Sequence, residues 1–249
     1  MAESLVTKYF SGQGKLRMAL RDTNGAPSGL EFIGDVGSVT LTPAVDKEKV
    51  IENVSGSAGI GAEFIKKVEY NFSMQMRSFK AEHLSLALQA SNTAKVSGTV
   101  TDEPQKGYKG KMLALKHIKV RTVVVTGAAG TPTYVAGTDY NVDSDSGMIE
   151  IITAGAITEG LALLIDYAYA AQHHLLAAPA NKYFYLVFDG VNRADNNKKV
   201  RCEIYSIAMS PSALSMIDDK AAEMPITGTV ILDTLRAPGD QFFSWKIED

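Results

Sequence analysis

The residues best suited to bind a metal ion lie in one short stretch, residues 138–151 (TDYNVDSDSGMIEI). The candidate ligands are Asp139, Asn141, Asp143, Asp145 and Glu150. Counted from the first of these, they occupy positions one, three, five, seven and twelve of a calcium-binding loop. However, position six requires Gly and is Ser144, and the flanks alternate like strands. Because Asp, Ser and Gly are also typical turn residues, and Gly147 can take a positive φ, we predict a β-hairpin turn, with a weak cation site as the alternative.

The histidines, the cysteine and the glycine-rich stretches form no recognisable catalytic arrangement. His173 and His174 are adjacent, and neighbours in a strand point to opposite faces, so the pair does not readily share an ion. Cys202 lies in an alternating strand pattern, where burial makes a thiol unreactive. No phosphate-binding loop or Gly-x-Ser-x-Gly turn is complete. We therefore expect no catalytic residue, cofactor or metal, and we infer that the protein is not an enzyme.

The composition is that of a folded globular protein. The chain has 249 residues, of which 45% are hydrophobic and 21% charged, enough for one large β domain or one domain with an insert. The net charge is −3 and the basic residues are scattered, so no nucleic-acid footprint is present. No apolar run approaches the length of a membrane span, and the N-terminus lacks the apolar core of a signal peptide. We expect that the protein does not insert into a membrane and that it is synthesised in a reducing compartment.

Strand patterns dominate the elements that must position any site. Residues 68–77 (VEYNFSMQMR) alternate apolar and polar side chains throughout, which predicts a long antiparallel strand with one dry and one wet face. Residues 78–91 predict a helix with Ser78 as its N-cap. Residues 210–223 predict a short helical turn that begins at Pro211. The expected fold is mainly β, an antiparallel β-sandwich or barrel with one flanking α-helix and a small β insert domain.

Two segments depart from this pattern. Residues 46–64 have no sustained period and contain three glycines, so we predict a long loop whose apolar side chains dock on another chain. Residues 119–174 contain short β segments between turns rich in Gly, Ala and Thr. We interpret them as an inserted small β domain. The remaining core then comprises residues 1–118 and 175–249.

Several stretches, in this order, carry a family resemblance. Residues 81–89 (AEHLSLALQ) resemble a segment of the form enLalal, and Phe188, Gly190 and Asn192 form an F-x-G-x-N strand end. A P-x-x-L element, an acidic turn and a TG-x-V strand follow: Pro211, Leu214, Asp218, Asp219, Thr227, Gly228 and Val230. The order resembles that of the tail tube (major tail) protein family of long-tailed bacteriophages. The insert resembles a small β module of phage structural proteins.

The resemblance implies a structural protein of the virion. Its members form hexameric rings that stack into the tail tube, a channel for the tape-measure protein and for DNA ejection. The expected partners are further copies of the chain, the tape-measure protein and double-stranded DNA in the lumen, and the tail terminator and baseplate proteins. The expected location is the phage tail, with host cytoplasm during assembly and the insert on the tube exterior. The alternatives are a tube terminator or baseplate ring, and a monomeric β-barrel that binds a small ligand.

The same resemblance implies two sets of surface residues. The subunit and ring interface would include Val50, Ile51, Val54, Ile60, Phe64, Tyr9, Phe10, Phe242, Phe243 and Trp245. The lumen-facing candidates are the polar residues of the long strand, Glu69, Asn71, Ser73, Gln75 and Arg77. For the two apolar chain ends, the alternative is that each packs on its own domain.

Overall fold

The computed structural model describes residues 9–177, 182–217 and 223–249. Antiparallel strands dominate these residues, so the predicted mainly β fold is confirmed. The strands are β1 (Gly12–Leu20), β2 (Glu31–Phe32), β3 (Val36–Ile51), β4 (Ile60–Met76), β5 (Ala90–Lys95), β6 (Gly98–Gly107), β7 (Met112–Ala114), β8 (Val120–Gly127), β9 (Tyr140–Asp143), β10 (Met148–Ile151), β11 (Leu161–Tyr169), β12 (Gln172–Ala177), β13 (Tyr183–Asn192), β14 (Lys198–Met209), β15 (Met224–Val230) and β16 (Phe243–Ile247). The described helix is α1 (Ala81–Ala87).

The chain divides into two compact units. The first comprises Met1–Ser91 and Leu176–Asp249, and the second comprises Asn92–Leu175. The predicted insert ends close to the observed boundary, but its predicted start at residue 119 is wrong. Strand β6 pairs along its length with β11, so residues 98–107 belong to the second unit. These residues were assigned to the core because their partner strand lies more than fifty residues later, a separation that local patterning does not report.

One antiparallel sheet forms the framework of the first unit. Its strands follow the order β2-β1-β13-β14-β15-β4-β3, and β16 also pairs with β14. The alternation of residues 68–77 sends Phe72, Met74 and Met76 into the core, where each is at most 1% exposed. The core also takes apolar side chains from the other strands, including Leu16, Met18, Phe184, Leu186, Ile204, Ile207 and Ile226.

The helix α1 covers part of this core but begins differently from the prediction. Lys80 occupies the N-cap position with extended backbone and no side-chain hydrogen bond. Ser78 is therefore not the cap; its Oγ lies 2.8 Å from His83 Nδ1. Ala87 is completely buried. The helical turn predicted at Pro211 is wrong for the described part, since residues 210–217 have no helical hydrogen bonding.

The second unit has its own core between two small sheets. The sheets have the strand orders β6-β11-β8 and β7-β10-β9. Ile149, Ile157 and Ile165 are fully buried between them, with Val125 and Leu163 beside them. Strands β5 and β12 pair with each other at the two ends of the unit's chain. The unit thus buries its apolar side chains within its own residues.

Candidate assembly surface

The most prominent surface feature of the first unit is a long two-stranded ribbon formed by β3 and β4. The pairing runs from Val36 opposite Met76 to Ile51 opposite Ile60, and the connection comprises residues 52–59. The loop predicted over residues 46–64 is therefore wrong, because most of it is strand. Register shifts at residues 46–47 and 50–51 interrupt the pairing. Such bulges add unpaired residues and break the period of two that identifies a strand in sequence.

The two halves of the ribbon have different surroundings. Near the core, β4 alternates between buried Phe72, Met74 and Met76 and the more exposed residues between them. Farther out, every residue of 45–51 and of 60–67 is exposed. We call residues 45–67 the arm. At about 3.3 Å per strand residue, the arm extends roughly 25 Å to its turn.

The arm carries an unusual number of exposed apolar side chains. They are Val45, Val50, Ile51, Val54, Ile60, Phe64 and Ile65. Val54, at the tip, is 97% exposed. Since burying one side chain of this size contributes about 1.5–3 kcal/mol, a group of them on one ribbon makes the arm a candidate docking surface. Five of the predicted interface residues lie in this group. Val45 and Ile65 were missed, because each lies one position outside the loop predicted over residues 46–64.

The arm is held in a defined conformation by hydrogen bonds and ion pairs among its own residues. At the turn, the carboxylate of Glu52 accepts hydrogen bonds from the backbone N–H groups of Val54 and Ser55, at 2.5 and 2.7 Å. The hydroxyl of Ser55, which also bonds this carboxylate, lowers the pKa of Glu52. Lys47 Nζ lies 2.5 Å from Glu63 Oε1 across the ribbon. These contacts hold the backbone in shape while the apolar side chains remain uncovered.

The outer edge of β3 is a second unfinished feature. This strand has sixteen residues, and among the described strands it pairs with β4 alone. Its outer N–H and C=O groups consequently have no strand partner within the described part of the chain. A long edge of this kind is a template for pairing with another chain.

The predicted lumen residues lie on one face of the sheet. Asn71 is exposed and Ser73 and Gln75 are half-buried, in alternation with the buried core residues of β4. Across the ladders, Asn71 and Ser73 are opposed by threonines on both neighbouring strands: Thr42 and Thr40 of β3, and Thr229 and Thr227 of β15. The middle of this face is therefore rich in hydroxyl and amide groups. Charges stand at its ends, where Arg77 pairs with Glu223 at 2.7 Å and Glu69 pairs with Lys67.

The apolar chain ends behave differently from one another. Phe242 and Phe243 are half-buried against the core, with ring centroids 5.1 and 5.2 Å from that of Tyr70. These two residues pack on their own domain, as the alternative for this chain end predicts, because β16 joins the sheet through β14. Phe10 and Trp245 remain more exposed and contact each other edge to face at 5.6 Å. Tyr9 is 70% exposed.

The acidic stretch is a hairpin turn, as its turn residues predict, and its polar side chains contact groups of the protein itself. Asp139 accepts hydrogen bonds from Ala156 N and Val135 N, at 2.7 and 2.8 Å. Asp143 bonds backbone N–H groups of the turn, Asp145 pairs with Lys119, and Asn141 bonds Glu150. No group of three metal-ligating side chains forms among the residues that the structure describes.

Gly147 explains why the acidic turn closes as it does. Its φ is +69°, and a Cβ there would lie 2.0 Å from the backbone oxygen of His117. Only glycine fits so close an approach with this backbone conformation. The composition that suggested a calcium loop thus reflects turn geometry.

The remaining candidates for chemistry are structural. Burial raises the pKa of Cys202 to about 11, which leaves the thiol protonated and unreactive at neutral pH. Within the described ranges, no helix has the length and apolar character needed to cross a bilayer. The candidate surfaces of the first unit are its arm, the β3 edge and the polar sheet face.

Comparison with family models places the chain in a group defined by sequence. A model described as protein of unknown function UCP028589 matches residues 9–246. The chain belongs to the UCP028589 family. The match includes the ribbon, its arm and the whole second unit, so these features lie inside the region by which the UCP028589 family is recognised. No curated protein matches the chain, and the functional argument therefore depends on the geometry above.

Proposed function

We propose that this protein is a structural subunit of a phage tail tube, which assembles into hexameric rings that stack around a central channel. The observation that carries the proposal is the ribbon. Its arm presents seven apolar side chains to solvent, and the sixteen-residue strand β3 leaves one edge without a strand partner in the described chain. A single copy is therefore incomplete in both its apolar burial and its strand pairing.

Assembly of identical copies would complete both features. In a closed ring, each copy supplies the strand that covers the open edge of its neighbour, so no free edge remains. The arm, about 25 Å long at the usual rise per strand residue, has the reach to contact an adjacent copy or ring. Contact with another copy would remove its apolar side chains from water.

The polar face of the sheet is suited to a channel lining. The hydroxyl groups of Thr40, Ser73 and Thr227 lie side by side across three strands. Such groups hydrate the surface without gripping phosphate, whereas rows of Lys or Arg would bind DNA by counterion release and slow its passage. In this proposal the tape-measure protein and then DNA pass along this face, and the protein resides in the phage tail after assembly in the host cytoplasm.

The other two functions predict different interiors or different assemblies. A ligand-binding β-barrel needs an apolar cavity, but buried side chains from five strands fill the described core. A pocket of about 320 Å³ is lined partly by Arg21 and Asp233, which already pair with each other at 3.1 Å. A terminator or baseplate ring would share the arm and edge, yet it would form single rings rather than tubes.

Negative-stain microscopy and light scattering of the purified full chain test the proposal. We expect rings that stack into hollow tubes as the protein concentration rises. Single rings that never stack would favour a terminator or baseplate ring. A monodisperse monomer at all concentrations would overturn the proposal.

The arm can be tested separately by replacing residues 50–62 with a two-residue Asn-Gly turn, which joins the paired residues Lys49 and Glu63 in their observed register. We expect a folded protein with an unchanged unfolding transition that no longer forms tubes. The matched control changes exposed apolar residues of the second unit, Val96→Ser and Val135→Ser, which are 80% and 58% exposed. Tubes formed by the shortened variant would contradict the role given to the arm.

A further inference from the structure

A chain of hydrogen bonds runs through the interior of the second unit. Glu103 and Tyr167 are each 2% exposed, and the Tyr167 hydroxyl donates to Glu103 Oε2 at 2.5 Å. The same hydroxyl oxygen lies 2.9 Å from His117 Nδ1, which must donate because the tyrosine proton is already engaged. Burial and this buried carboxylate raise the pKa of Tyr167. The imidazole of His117 is thereby fixed in position by one of its nitrogens.

The other contacts of His117 are aromatic and cationic. Its ring stacks on Tyr169 with centroids 3.8 Å apart and planes 11° apart, and the ring of His174 lies 5.3 Å away. Burial lowers the pKa of His117, and His174, Lys95 and Lys116 act in the same direction, while Glu103 opposes them. Protonation of His117 would therefore add a positive charge near two lysines and a second imidazole.

These groups lie where the chain enters and leaves the second unit. Lys95 belongs to β5 and His174 to β12, and these two strands pair with each other. His173, on the opposite side of β12, has its Nδ1 2.9 Å from Asn92 Oδ1 of β5. The aromatic stack on Tyr169 and the neighbouring His174 thus connect the buried hydrogen-bond chain to this terminal pair of strands.

We propose that His117 and His174 form a pH-sensitive lock on the β5–β12 pair: neutral imidazoles pack together and hold the strands, and protonated imidazoles repel each other and release them. The inference does not depend on the proposed tube. Acidification is the signal, since histidine is the side chain that ordinarily changes charge between pH 8 and pH 5.

The direction of the pH effect follows from linkage. The folded-state pKa of His117 lies below its ordinary value of 6.5, so the unfolded state binds the proton more readily. The stabilisation from the neutral ring is present above pH 6.5 and decreases as the pH falls from 6.5 through the folded pKa. Local opening of β5 and β12 therefore becomes more frequent on the acid side of neutrality.

Hydrogen exchange of the full chain, read by mass spectrometry at pH 7.5 and pH 5.5 and corrected for the intrinsic rate, tests the lock. Peptides that cover β5 and β12 should lose protection several-fold at the lower pH. Peptides from β6 and β11, which are paired along their length, should change much less. Equal protection of β5 and β12 at both pH values, after the correction, would overturn the proposal.

Two substitutions assign the effect. His174→Gln removes the neighbouring imidazole without touching the Tyr167 bond, and His117→Gln removes the central ring; both should reduce the pH dependence. His83→Gln, in the first unit, is the control and should leave it unchanged. Should His117→Gln fail to fold, the wild-type imidazole resonances followed by NMR replace it. A pH response of undiminished size in His174→Gln, or a His117 resonance that titrates without any loss of protection, would contradict the lock.

Discussion

The near and far halves of the β3–β4 ribbon share one backbone ladder but differ in what their side chains contact. Near the core, Phe72 is 1% exposed and belongs to the main apolar cluster. Eight positions earlier on the same strand, Phe64 is 51% exposed. The pairing of β3 with β4 therefore continues through both halves, while the surroundings of the side chains separate a stabilising region from one that is available to a partner.

The largest expected difference between the halves concerns these two phenylalanines. Phe72→Ala should lower the free energy of unfolding by about 3–5 kcal/mol, because it leaves a cavity in a packed core. Phe64→Ala should change it by no more than about 0.5 kcal/mol, as is usual for exposed positions. Urea unfolding of both variants measures the contrast. A comparable loss in Phe64→Ala would mean that the arm packs on its own unit.

Assembly should show the opposite contrast from stability, with the larger effect for substitutions in the arm. In the proposed tube, Phe64→Ala and Val54→Ser weaken the contact between copies while leaving the monomer stable. Sedimentation of assembled material at increasing protein concentration measures the shift. Normal tube formation by a doubly substituted arm would remove the arm from the interface.

Two glycines allow the same comparison between the core half and the arm, with a smaller expected effect on stability. A Cβ at Gly228, opposite Phe72, would lie 2.6 Å from Ala208 O and 3.1 Å from Met209 Cα. Since backbone must shift to accommodate it, Gly228→Ala should cost about 1–3 kcal/mol. Gly59→Ala, in the arm turn, meets nothing within 4 Å and should be nearly neutral. Thermal unfolding of the pair distinguishes the two environments.

The ion pair of the arm should contribute less. Lys47 and Glu63 approach to 2.5 Å, but their side chains are 48% and 36% exposed. Solvent screening limits such pairs to about 0.2–1 kcal/mol. A double-mutant cycle with Lys47→Ala and Glu63→Ala measures the coupling energy, and a value well above this range would indicate that the arm is less exposed than its side-chain accessibilities suggest.

The smallest expected effect is on amide exchange in the turn of the arm. Because the pKa of Glu52 is lowered by its bonds to Ser55, the ordered turn is present above the ordinary value of 4.5 and is lost as the pH falls through the lower, folded-state pKa. Glu52→Gln should therefore speed amide exchange at Val54 and Ser55 without changing global unfolding. Unchanged exchange at both amides would show that the turn does not depend on this carboxylate.

The sequence by itself determined the fold class and the elements with local signatures. The alternation of residues 68–77 fixed which side of β4 faces the core, because a strand period of two assigns alternate residues to opposite faces. The acidic hairpin was also readable, since Asp143 and Gly147 have the turn chemistry that such a connection needs. These features depend on neighbouring residues, which a sequence displays directly.

Only the tertiary structure decided the features that depend on distant partners. The register shifts at residues 46–47 and 50–51 turned a predicted loop into the arm, and the pairing of β6 with β11 set the start of the second unit. The packing of Phe242 and Phe243 on Tyr70 likewise joins residues far apart in the chain. Bulges and long-range pairings leave no periodic signal, because they are specified by which strands meet and not by the local order of polar and apolar residues.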